Sequence, residues 1–73
     1  MQNTEKREKI VALLFRYALT RKWLLLRLQT LGESITGAEL TGYLNGYRSG
    51  LKGERVIDLC LQELQKYGEL YAG

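Results

Sequence analysis

Eleven of the 73 residues are lysine or arginine, and two groups of them are spaced to hold an anion. Arg16, Arg21, Lys22 and Arg27 frame Trp23, a grouping suited to phosphate contact beside an aromatic ring. Arg48, Lys52 and Arg55 form the second group, across a glycine-rich stretch. Two other uses suit the first group. Arg-Lys-Trp-Leu-Leu-Leu-Arg-Leu, residues 21–28, mixes cations with apolar side chains as an interfacial membrane helix does. A solvated charged face beside a core helix has the same composition.

Catalytic chemistry finds little support. Histidine is absent, Asp58 is the one aspartate and Cys60 the one cysteine. A lone cysteine without histidine offers neither a nucleophile–base pair nor a zinc site. Cys60 shares a helical face with Ile57 and Leu64 and is expected in the core. Glu54 and Asp58 lie one helical turn apart, which is more often a surface pair than an acid–base dyad. The glycines do not have the spacing of a phosphate-binding loop. The expectation is a binding protein, not an enzyme, with no cofactor and no metal.

The net charge of +3 is divided unevenly. Residues 1–31 carry seven basic and two acidic side chains, a balance of +5, and residues 32–73 carry four and six, a balance of −2. A polyanion would therefore be attracted mainly by the N-terminal half. A single cysteine suits a reducing, cytoplasmic compartment. No signal peptide and no run of the ~20 apolar residues needed to span a bilayer are visible.

The elements that position these residues follow from periodicity. Ile10, Leu14 and Tyr17 start an apolar stripe that Leu24, Leu28 and Leu31 continue. One uninterrupted helix would set Arg21 in the middle of that stripe. Either Arg21 extends its charge to water, or the helix breaks at about Leu19–Arg21 and Thr20 caps a second one; the break is favoured. Gly32 suits the residue just past that helix. Thr36 and Glu39 have capping-box spacing, with Ile35 and Leu40 placed as a hydrophobic staple. A short helix is expected over Gly37–Leu44, ended by Asn45-Gly46. Gly42 inside it costs ~1 kcal/mol against alanine, tolerable if a neighbouring helix comes close. Residues 45–53, with three glycines, form a turn. From Glu54 a helix runs to Tyr67, with Ile57, Cys60, Leu61 and Leu64 on its buried face, Val56 and Leu59 off it, and Gly68 as its stop. Tyr43, Tyr47, Tyr67 and Tyr71 flank the turn and the end of this helix. Leu70–Gly73 leaves room for at most one short strand, and Met1–Thr4 is expected to fray.

The fold expected is one all-α domain over residues 1–73, with three or four helices and a helix-turn-helix-like unit over residues 36–68. On Ala38-Glu39-Leu40 to Leu44, and on Ile57, Cys60-Leu61, Leu64 and Tyr67-Gly68, the second half resembles winged helix-turn-helix DNA-binding domains. The resemblance implies that the last helix presents its N-terminal residues to the major groove. The matching positions are Lys52, Glu54, Arg55 and Asp58, with Arg48 meeting a phosphate and Arg16, Arg21, Lys22 and Arg27 supplying backbone electrostatics. The turn is longer than the tight form, the chain leaves at most half a wing, and residues 54–69 carry four acids against two bases. The expected function is a small DNA-binding regulator of transcription or replication. The alternative is a protein-interaction module using the apolar face of residues 10–31. That face is also broad enough to suggest a homodimer.

Overall fold

The computed structural model describes residues 4–72, and these form four α-helices with no strand among them. Helix α1 is Thr4–Arg16, α2 Arg21–Thr30, α3 Gly37–Asn45 and α4 Leu51–Tyr67, followed by a π-helical segment, Gly68–Ala72. The all-α fold of three or four helices is thus the observed one. The fraying expected at residues 1–3 lies outside the described residues, and Thr4 already begins α1.

The chain breaks where Arg21 required it. Thr20 caps α2, its hydroxyl accepting from the Trp23 backbone N–H at 3.1 Å, and Arg21 is exposed. The stop of α1 is a Schellman motif: Leu19 N–H donates to the Leu14 carbonyl and Ala18 N–H to Phe15, at 2.8 and 3.2 Å. The left-handed residue here is Ala18, at φ +56°, where glycine is the usual choice. Helix α2 ends the same way through Gly32, with Glu33 N–H on the Leu28 carbonyl, and α3 through Gly46, with Tyr47 N–H on Gly42. Both glycines sit in the left-handed region, as their positions in the sequence require.

Helix α4 is the hub, packed against α1, α2 and α3. Its core residues meet Ile10 and Leu14 of α1, Leu24 and Leu28 of α2, Ile35, and Leu40, Tyr43 and Leu44 of α3. Burying each large side chain contributes roughly 1.5–3 kcal/mol. Because three helices cover α4, its buried surface is wider than one stripe. Val56, expected off the face, is fully buried with Ile57, Cys60 and Leu64, and Leu59 is half-buried.

Three local expectations are corrected. Helix α4 begins at Leu51 and not at Glu54, so Lys52 and Gly53 belong to its first turn. Gly68 is no left-handed stop: it continues the helical backbone at φ −61°, buried against the Tyr17 hydroxyl where a Cβ has no room. The π-helical segment Gly68–Ala72 takes the place of the expected strand, of which Gly73 lies outside the described residues. No helix of the described residues is long and apolar enough to cross a membrane.

Candidate nucleic-acid interface

The α3–turn–α4 unit is built from its cap outward. Thr36 Oγ1 accepts from the Glu39 N–H at 3.2 Å, and Glu39 Oε1 accepts from the Thr36 N–H at 3.0 Å, a complete capping box. The staple residues Ile35 and Leu40 are both buried. Residues 46–50 form the turn, and Gly50, at φ +112°, precedes α4. The close approach of the two helices falls at Gly53, where a Cβ would lie 2.9 Å from Tyr43 Cδ1 and Cε1. Gly42, the position expected to admit a helix, instead lies under Arg48, whose Cδ would be 2.8 Å from an added Cβ.

The sequence-derived cations separate into two sets. Lys52, Arg55 and Arg27 are engaged within the fold. Lys52 Nζ donates to the Ser34 carbonyl at 2.6 Å and pairs with Glu39 Oε2 at 3.5 Å. Arg55 makes a two-pronged contact with Glu33, Nε to Oε2 at 2.9 Å and Nη2 to Oε1 at 3.1 Å. Together they fasten the α2–α3 connector to the start of α4. Arg55 holds the Glu33 carboxyl below the usual carboxylate range against the opposing effect of desolvation, and Glu33 raises Arg55 in turn. The Thr36 N–H, with Lys52 and Arg48 nearby, likewise lowers Glu39. Arg27 Nη2 pairs with Glu63 Oε1 at 3.0 Å, facing the C-terminal half of α4.

Arg48, Arg21, Arg16 and Lys22 form no ion pair among the described residues. Arg48 lies along Gly42, and Arg21 Nη2 reaches Asn45 Oδ1 at 3.5 Å. A third arginine, Arg7 of α1, packs its guanidinium on Gly46. Its Nη2 donates to Thr4 Oγ1 at 3.1 Å, and its Nε is buried without a hydrogen-bond partner among the described residues. Gly42, Asn45 and Gly46 occupy one side of the last turn of α3, so three guanidinium groups from three elements gather around that helix end. Sequence reasoning missed Arg7. Its only signal was its place beside Lys6 and Lys9, which says nothing of which helix end it meets. Arg16 closes α1, and Lys22 shares with Arg21 a shallow hollow against Thr41.

Helix α4 presents Leu51, Glu54, Asp58 and Gln62 outward. Asp58 is matched by Lys6 of α1 at 2.8 Å, and Glu54 forms no ion pair among the described residues. Cys60 is buried, and desolvation pushes its thiol up to about 12, which disfavours the thiolate form. Among the described residues no cluster of three His, Cys, Asp or Glu side chains could hold a metal ion. Compared with known proteins, the chain matches no family model, no curated protein and no solved structure.

Proposed function

We propose that this chain is a cytoplasmic DNA-binding regulator, a binding protein without catalytic activity, that sets its α3–turn–α4 unit against duplex DNA. One observation carries the reading: Arg7, Arg21 and Arg48 converge on the end of α3, with no carboxylate paired to any of them among the described residues. That helix end leads through the turn into the N-terminus of α4. Phosphate contacts there would flank the first turn of α4 and orient it toward the groove. Arg16 and Lys22 extend the positive field along α1 and α2. Lys52 and Arg55 act by fixing the connector to α4. Glu54, outward and without an ion-pair partner, is the side chain on α4 best placed to accept from cytosine N4.

The test is a duplex titration at two salt concentrations. Replacing Arg7, Arg21 and Arg48 by alanine together is expected to weaken all sequences alike. It should also flatten the slope of log affinity against log salt by roughly 0.9 per lost phosphate contact, about 3 in all. Unchanged affinity in the folded triple variant would remove this function.

A second reading has its own observation. Val11 and Phe15 on α1, Leu26 on α2 and Leu31 just past its end stay exposed, Phe15 at 88%. Such surface favours a protein partner, a second copy included. The homodimer reading gives twice the 8.4 kDa chain mass at sedimentation equilibrium, and Phe15→Ser should return it to the single mass.

A further inference from the structure

Away from the arginine cluster, the C-terminal half of α4 carries a cleft of about 310 Å³. Its walls are aromatic. Tyr67 stands at the centre, with the Trp23 ring edge-on at 5.5 Å and the Tyr71 ring tilted at 5.0 Å. Leu70 completes the apolar lining. Its rim is cationic. Arg27 and Lys66 share a single carboxylate, Glu63, at 3.0 and 3.5 Å. Glu63 is only 4% exposed, whereas Arg27 and Lys66 are 44% and 64% exposed. Two cations on one withdrawn acid leave a net positive charge facing outward, beside three aromatic walls. From Leu51 to Tyr67 the helix rises about 24 Å, so this site stands well apart from the start of α4 and is independent of the DNA reading.

We propose that the cleft binds a small aromatic acid: a planar ring carrying a carboxylate or phosphate group. The ring packs among Trp23, Tyr67 and Tyr71, where offset and edge-on contacts are favourable. The anionic group meets Arg27 and Lys66, whose partly exposed side chains can make charge-assisted hydrogen bonds. The volume lies at the small end of ligand cavities, which suits one or two rings. A nucleotide of single-stranded nucleic acid shares this chemistry, and the probes distinguish the two sources.

Trp23 is the only tryptophan, so its indole N–H resonance reports the cleft directly. The probes are 4-phenylbenzoate, its neutral alcohol 4-phenylbenzyl alcohol, and a six-residue oligothymidylate, each added to the full chain. The acid should shift the resonance saturably, and the alcohol should bind about tenfold more weakly. Tyr71→Ala, an exposed position near the chain end, should weaken the acid about tenfold with the helical spectrum intact. Lys66→Gln should weaken the acid but not the alcohol. No saturation, equal affinity for acid and alcohol, or an unaffected Tyr71→Ala variant would overturn the assignment. Saturation by oligothymidylate alone would overturn it in favour of single-stranded nucleic acid. A Trp23 resonance that moves on dilution of the protein by itself, with no response to the acid, would overturn it in favour of a second copy.

Discussion

Gly42 and Gly53 offer the same substitution in two environments, and the structure gives the two changes opposite signs. Both glycines are helical and buried, and neither has a positive φ. Alanine at either one gains helix propensity, up to ~1 kcal/mol in a helix interior. Gly42 is inside α3 and takes the full gain, whereas Gly53, in the first turn of α4, takes a smaller share. What each new methyl meets decides the outcome. At Gly42 it meets Arg48 Cδ and Cγ at 2.8 and 2.9 Å, part of a flexible, exposed side chain that can swing away. At Gly53 it meets Tyr43 Cδ1 and Cε1, both at 2.9 Å, on a ring held in the core. Moving that ring means parting α3 from α4, and overpacking of this kind costs roughly 1–3 kcal/mol. Gly42→Ala should therefore stabilise by up to ~1 kcal/mol. Gly53→Ala should destabilise by about 1–2 kcal/mol, the overpacking cost less a partial propensity gain. Urea denaturation midpoints of the two variants check this. A Gly53→Ala variant as stable as Gly42→Ala would refute the close crossing of α3 and α4 at Tyr43. Gly42→Ala carries a second consequence, since displacing Arg48 from α3 should weaken DNA binding while the fold gains stability.

Ala18→Gly should stabilise by about 0.5–1 kcal/mol, because φ +56° strains alanine more than the added chain freedom of glycine costs; a lower denaturation midpoint would show that α1 does not end there. Thr36→Ala should cost ~1 kcal/mol through loss of the capping box, read from the same midpoint. Glu33 and Glu39 have folded pKa values below their unfolded ones, so the unfolded chain binds more protons in the interval between. Their stabilisation is complete above the unfolded value of about 4.3 and is lost as pH falls through the folded values. Urea midpoints should drop below about pH 4, and the drop should shrink in Glu33→Gln.

Local signals were the most legible part of the sequence. The Thr36–Glu39 box, the Ile35–Leu40 staple and the left-handed glycines at 32 and 46 are each decided by a few adjacent residues, and each stands where its residue types require. The break before Arg21 was legible because a charge in an apolar stripe leaves few solutions. What could not be read depends on residues far apart in the chain. Val56 is buried because three helices cover α4, a fact that the periodicity of α4 does not contain. Gly53 reads as turn flexibility in the sequence, and only the fold brings Tyr43 against it. Gly68 reads as a stop, and only the fold brings the Tyr17 hydroxyl to it. Within the candidate site the residue types were visible but not their partners. Nothing in Lys52 and Arg55 says that Ser34, Glu39 and Glu33 await them, and nothing in Arg7 says that it meets the end of α3.

By count, residues 54–69 of α4 and the segment after it are net negative, but the ion pairs redistribute that charge. Asp58 is matched by Lys6 from α1, and Glu63 by Arg27 from α2 as well as by Lys66. Exposed pairs such as Lys6–Asp58 contribute only about 0–1 kcal/mol to stability. Their larger effect is on the field around the molecule, because they leave Glu54 and Glu69 as the acids of this stretch outside any ion pair among the described residues. The cations outside such pairs are Arg7, Lys9, Arg16, Arg21, Lys22 and Arg48, and all but the last belong to α1 and α2. In the proposed DNA-binding role, the helices supplying the attraction would therefore not be the helix that reads the bases. On that proposal the end of α3 would join the two functions, since it is where arginines from α1, α2 and the turn meet the path into α4.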